Sequence, residues 1–223
     1  MMRILIKATP PRDGLDFNYA YALKGIFHKW TGFDEHLHDT QSFYSFGQLN
    51  GGRKVGNQLR FDHGVSWQIS FWDIEVAKRA VMGIIRDPDM LQGIRVIEVQ
   101  ECPAPNFGTA YRFNTDSPIL VRDKRPDNTK EYLLFDNPRA DELLTLSLRR
   151  KLEKAGFTGD HLNVQVTFDR TYPKAKPRLI QYKNLKHKGS NCPIWVHGTP
   201  ETLKFVWLTG LGDLTGSGFG ALR

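Results

Sequence analysis

A chain of 223 residues, 40% hydrophobic and 12% aromatic, carries enough apolar side chain for one large core or two small ones, which excludes a disordered or low-complexity polymer. Lysine and arginine outnumber aspartate and glutamate by 31 to 24, and the net charge of +7 favours a polyanionic partner, nucleic acid before anionic membrane. Cys102 and Cys192 lie far apart, outside any C-x-x-C pair, which argues against a structural zinc site and for two buried free thiols. Near the N-terminus Ile4-Leu5-Ile6 is too short a run for a signal peptide or a membrane span, so a cytoplasmic protein with no membrane partner is expected.

Residues 2–8 predict a buried strand, ended by Pro10-Pro11 and Asp13-Gly14. From Asp16 to Trp30, Phe17, Tyr21, Lys24, Phe27 and Trp30 recur at three- and four-residue spacing and predict an amphipathic helix. Ser42–Leu49 and Val65–Trp72 predict strands, the second with Val65, Trp67, Ile69 and Phe71 in strict alternation. Asp73 caps a helix carrying Val76, Ala77, Ala80, Val81 and Ile84, which Asp87-Pro88 stops, and Ile94–Val99 closes the segment as a strand. The order is strand, helix, strand, strand, helix, strand, the split βαβ pattern of a ferredoxin-like (RRM-like) unit, assigned to residues 1–102. Cys102-Pro103-Ala104-Pro105-Asn106 has the composition of a linker.

Residues 107–223 repeat the order more loosely. Thr109–Phe113 and Ile119–Arg122 predict strand pieces. Asp136 or Asn137 caps a helix from Arg139 to Ala155 with Leu143, Leu144, Leu148 and Leu152 on one side. Val164–Phe168, Leu179–Tyr182, Ile194–His197 and Leu203–Leu208 predict strands. The fold class is therefore α+β: two tandem ferredoxin-like βαββαβ domains, the second degenerate and carrying a glycine-rich loop.

That loop contains Gly210, Gly212, Gly216, Gly218 and Gly220, whose amides would suit a phosphate. It is neither a Rossmann nor a Walker loop, since no helix-forming stretch and no Gly-Lys-Ser/Thr follows. The interleaved Leu211, Leu214, Phe219 and Leu222 predict a loop packed on a core. Arg170, Lys174, Lys176, Arg178, Lys183, Lys186 and Lys188 form a basic run with no acid among them, and Tyr172 and Tyr182 interleave. Cations for phosphates beside aromatic faces for unstacked bases are what RNA binding needs. Of the seven histidines, His28, His36 and His38 fall close together. Imidazoles titrate near neutrality, so one can take the proton of an RNA 2′-hydroxyl while another protonates the leaving 5′-oxygen, with neither metal nor cofactor. His36-x-His38 with a third ligand is the alternative, a zinc site.

Over essentially the whole length the chain resembles the CRISPR repeat-processing endoribonucleases of the RAMP superfamily. The resemblance rests on Asn18-Tyr19-x-Tyr21-x-Leu23-x-Gly25-Ile26, on Leu37-His38-Asp39 followed by Phe43-Tyr44-Ser45, on Ser117-Pro118-Ile119-Leu120-Val121, and most specifically on Gly210-Leu211-Gly212 with Gly216-Ser217-Gly218-Phe219-Gly220. It implies repeat RNA lying along the cleft and basic face, and cleavage that leaves a 2′,3′-cyclic phosphate and a 5′-hydroxyl. It further implies His38 as an acid–base group, with His28 standing where relatives often carry a tyrosine and Tyr44 assisting. Some relatives carry a lysine between the histidine and the aromatic strand, where this chain has Thr40, Gln41 and Ser42. Transition-state charge would then fall to Lys29, Arg53, Lys54 or Tyr44. The implied partners are CRISPR repeat RNA, other subunits of a CRISPR effector complex and a second copy of the chain; a noncatalytic RNA-binding subunit is the alternative function.

Overall fold

The structure is a computed structural model that describes residues 1–32, 41–125 and 127–223. In its first half, β1 (Met2–Ala8), β3 (Tyr44–Phe46), β6 (Val65–Phe71) and β7 (Val96–Glu101) form one antiparallel sheet in the order β3-β6-β1-β7. Helices α1 (Ala20–Thr31) and α2 (Ile74–Arg86) pack against it and against each other. This is the ferredoxin-like order the sequence predicts. Asp73 caps α2 by accepting from the Glu75 amide at 2.8 Å. The core is aromatic, with Phe27, Trp30, Phe46, Trp67 and Phe71 buried, and both tryptophans donate to backbone carbonyls, of Asp87 and Gly47.

The predicted helix of residues 16–30 starts later than its pattern. Leu15–Asp16 is a short strand, β2, paired to β5 (Gln58–Arg60), which itself pairs with β4 (Arg53–Val55) in a small sheet the sequence pattern does not show. Phe17 and Tyr21 are consequently exposed, while Leu23, Phe27 and Trp30 carry the buried face. Ser42–Leu49 contracts to the three residues of β3.

In the second half, β14 (Ile194–His197) is paired antiparallel between β11 (Gln165–Phe168) and β8 (Ala110–Phe113). The fourth position is reduced to an antiparallel bridge between Leu222 and Thr115, flanked by reciprocal backbone bonds of Asn114 and Arg223. Helices α3 (Pro138–Lys154) and α4 (Pro200–Thr209) complete the unit. Asn137 caps α3, and Thr199 caps α4 by accepting from the Thr202 amide. The expectation of a strand at Leu203–Leu208 is corrected here: this stretch is α4. Thr199 followed by Pro200 is a helix start, and a short apolar run buried on every side has no period that separates helix from strand. Two hairpins are added, β9 (Val121–Lys124) with β10 (Lys130–Leu133), and β12 (Lys176–Tyr182) with β13 (Leu185–Asn191). Both cysteines are free, Cys192 buried and Cys102 only partly so.

Side chains cross between the halves. The buried Arg3 guanidinium lies 3.6 Å from the Trp207 ring centroid, donates to Ser70 Oγ at 2.8 Å and also donates to the Trp207 carbonyl. Ser45 donates to the Leu208 carbonyl at 2.9 Å, and Trp72 meets Phe205 edge-on at 4.9 Å. Among the described residues no helix is long and apolar enough to cross a membrane.

Candidate functional site

On α1, Tyr21, Lys24 and His28 stand at i, i+3 and i+7 and so share one face. Tyr21 is 47% exposed and meets Tyr182 edge-on at 5.4 Å. Lys24 is half-buried and donates to Ser217 Oγ at 3.4 Å. Burial, and then the Lys183 ammonium, lower its pKa below the usual lysine value. His28 is 4% exposed, its ring edge-on to Phe27 at 5.5 Å.

Phe27 also stacks on Tyr44 of β3, with centroids 4.4 Å apart. Burial pushes the Tyr44 phenol up to about 12, against which its hydrogen bond with Ser42 works. The group is therefore protonated at neutral pH.

The glycine-rich loop lies against these residues. A Cβ on Gly216 would run into Ser42 Oγ and would sit 2.9 Å from Tyr44 Oη, so a larger residue here would have to displace these side chains. Ser217, one residue on, receives Lys24 and is hydrogen-bonded to Tyr182. Thus α1, β3, the loop and the β12–β13 hairpin converge on one spot. Beneath it the fully buried Lys151 of α3 donates to Thr209 O at 2.7 Å, and to Gly210 O and Thr215 Oγ1 at 3.4 Å, tying the loop to the end of α4. The loop is packed on a core, as its interleaved apolar residues predict. Gly210, Gly216, Gly218 and Gly220 are buried and Gly212 partly so. The amides of Gly210 and Gly220 donate to the Val206 and Pro118 carbonyls, which removes those two from any phosphate cradle.

From Lys176 onward the basic run lies on the β12–β13 hairpin. Lys176 and Arg178 lie on β12, Lys186 and Lys188 on β13, and Lys183 at the turn with φ 54°. The register pairs Leu179 with Lys188 and Gln181 with Lys186, which sets these four on the outer face. Ile180 and His187 turn inward, where His187 Nδ1 lies 3.0 Å from the Tyr132 hydroxyl. Lys174, Lys176, Lys183, Lys186 and Lys188 are exposed and Arg178 partly so.

Other expected cations are engaged elsewhere. Lys29 pairs with Asp87 at the end of α2 at 2.9 Å, Arg53 of β4 pairs with Asp62 just beyond β5 at 2.7 Å, and Arg170 pairs with Asp141 at 2.7 Å. Lys54 lies 5.8 Å from the Phe17 ring centroid. His36 and His38 lie outside the described residues, and among the described residues no group of three His, Cys, Asp or Glu could hold a metal. Sequence reading passed over Lys24, Ser217 and Ser42. The spacing does put Lys24 on the helix stripe, but what it faces is set by a loop nearly two hundred residues away.

Comparison with known proteins gives a consistent result. The profile of the family "CRISPR associated protein Cas6, C-terminal" matches residues 102–223. A CRISPR-associated endoribonuclease-like protein Cas6 of Pyrococcus furiosus is 26% identical over 100% of this chain and 98% of its own length. The solved structure of the product of a Cas6-related gene from Pyrococcus furiosus superposes with a TM-score of 0.86 at 22% identity, covering 100% of this chain and 97% of that one. A RAMP protein described as binding different RNA substrates gives a TM-score of 0.85 at 22% identity, with 100% and 99% covered.

Proposed function

Because the chain belongs to the CRISPR-associated Cas6 family, we propose that it binds CRISPR repeat RNA and cuts it within the repeat by a metal-independent transesterification. The 2′-oxygen bonds to phosphorus, the bond from phosphorus to the 5′-oxygen breaks, and a 2′,3′-cyclic phosphate and a 5′-hydroxyl result. One group takes the 2′-hydroxyl proton and another delivers a proton to the departing 5′-oxygen. In this reading His38 and His28 form the acid–base pair and Tyr44 donates a hydrogen bond. Residues 1–102 carry the chemistry. Residues 107–223 bind RNA through Lys174, Lys176, Arg178, Lys183, Lys186, Lys188 and the backbone of the partly exposed Gly212.

The observation that carries the reading is the convergence of the Lys24 face of α1, the Tyr44 strand and the glycine-rich loop beside an exposed basic hairpin with aromatic side chains. A cleavage site must hold phosphate next to donors, and a binding surface must lead the strand to it. Other CRISPR effector subunits and a second copy of the chain are further partners in the same reading.

The test is cleavage of end-labelled repeat RNAs in EDTA, with His38→Ala alongside. A single cut, absent in the variant and blocked by a 2′-deoxy nucleotide at the scissile position, is the expected result; a cut that survives in His38→Ala removes the histidine assignment. The burial of His28 favours a second reading, a noncatalytic RNA-binding subunit, because a ring shielded from solvent is shielded from substrate. Tight binding with no cut by the unmodified protein selects it.

A further inference from the structure

We propose that Lys24 contacts the scissile phosphate and meets the negative charge that develops on its oxygens. This rests on the repeat-RNA nuclease reading and assigns the cation that such a site needs. Attack by a 2′-oxygen raises the negative charge on the non-bridging oxygens, and a fixed cation in a partly desolvated position lowers that barrier far more than one in water.

Lys24 is distinguished by what it touches. Its hydrogen-bond partner, Ser217 Oγ, is neutral, and it has no ion pair with a carboxylate among the described residues, whereas Lys29, Arg53 and Arg170 each hold one. Its stem is held on a helix whose next turn stacks Phe27 on Tyr44, so the ammonium and the phenol are carried by one packed unit. The loop closes this unit from the other side through Gly216 at Tyr44 and Ser217 at Lys24. The second ammonium nearby, Lys183, lies 4.9 Å from the Tyr21 ring centroid and acts on Lys24 as a like charge. A phosphodiester bound here would offset this like-charge repulsion. The lowered pKa of Lys24 agrees with an ammonium that solvent and carboxylates leave undercompensated.

The experiment measures single-turnover cleavage of repeat RNA, together with the affinity for the same RNA carrying a 2′-deoxy nucleotide at the cut, in the unmodified protein, Lys24→Met and Lys24→Arg. Lys24→Met should cut about 10²–10³-fold more slowly while its affinity changes only a few-fold. Lys24→Arg, which keeps the charge and probes packing separately, should recover most of the rate. A phosphorothioate at the scissile non-bridging oxygen should slow the unmodified protein more than Lys24→Met. The assignment falls if Lys24→Met cuts at the unmodified rate, or if rate and affinity fall by the same factor while Lys24→Arg fails to recover either. If the unmodified protein cuts no repeat RNA, the nuclease reading fails and takes the assignment with it, an outcome distinct from loss of the lysine effect alone.

Discussion

Tyr44 is a phenol whose ring serves the core while its hydroxyl faces the loop. With its pKa near 12 in the folded protein against about 10 when unfolded, the folded state holds the proton more tightly. Its contribution to stability is therefore complete below pH 10 and is lost as pH rises from there through 12. Melting temperatures measured across that window should fall less steeply in Tyr44→Phe than in the unmodified protein. Because the phenol stays protonated at neutral pH, Tyr44→Phe should also slow cleavage without moving either limb of the pH–rate profile below pH 9. The resemblance singled out Tyr44 and His28, and spacing put Lys24 on the helix stripe. It could not find their surroundings, because burial of His28 and contact of Lys24 with Ser217 depend on residues that period and propensity do not join.

At the scale of elements, the glycine-rich loop is set by what it must not touch. Gly216→Ala places a methyl against Ser42 and Tyr44, and overpacking of this kind should cost about 1–3 kcal/mol, read by denaturant unfolding. Cleavage should drop in the same variant, since the displaced atoms include the Tyr44 hydroxyl. Lys151 holds the other end of the loop, and complete burial brings its pKa down to about 7. The unfolded chain, with an ordinary lysine, binds the extra proton between about pH 7 and 10.5, so unfolding free energy should rise with pH across that window. Lys151→Met should abolish this rise, which a pH series of urea titrations checks.

Long, strongly patterned elements such as β6 and α3 were legible from alternation and capping residues. The short β2–β5–β4 sheet was not, because strands of two or three exposed residues leave no period to read. Nor was α4, whose burial on every side erases the polar half of the helical pattern.

At the scale of the molecule, the order of elements predicted the tandem folds, but nothing local predicts how the halves join. Arg3 shows why: it bonds within its own sheet to Ser70 and across to Trp207, 204 residues away. Arg3→Met should cost about 2–4 kcal/mol by leaving buried acceptors without their donor, and thermal unfolding should remain a single transition at a lower midpoint.

The loop's position against β3 has a consequence of another kind. β3 is the edge of the first sheet, and an uncovered edge strand is a template for pairing between molecules. The loop lies against that edge, with Gly210 beside Ser45 and Gly218 beside the Phe46 ring. Loosening the loop therefore opens a sticky strand, so Gly216→Ala and Lys151→Met should scatter light on gentle warming before they lose secondary structure. Selection on this stretch would then answer to solubility as well as to chemistry, and a variant that fails to cut RNA has to be shown free of aggregates before its side chain is assigned a part in the reaction.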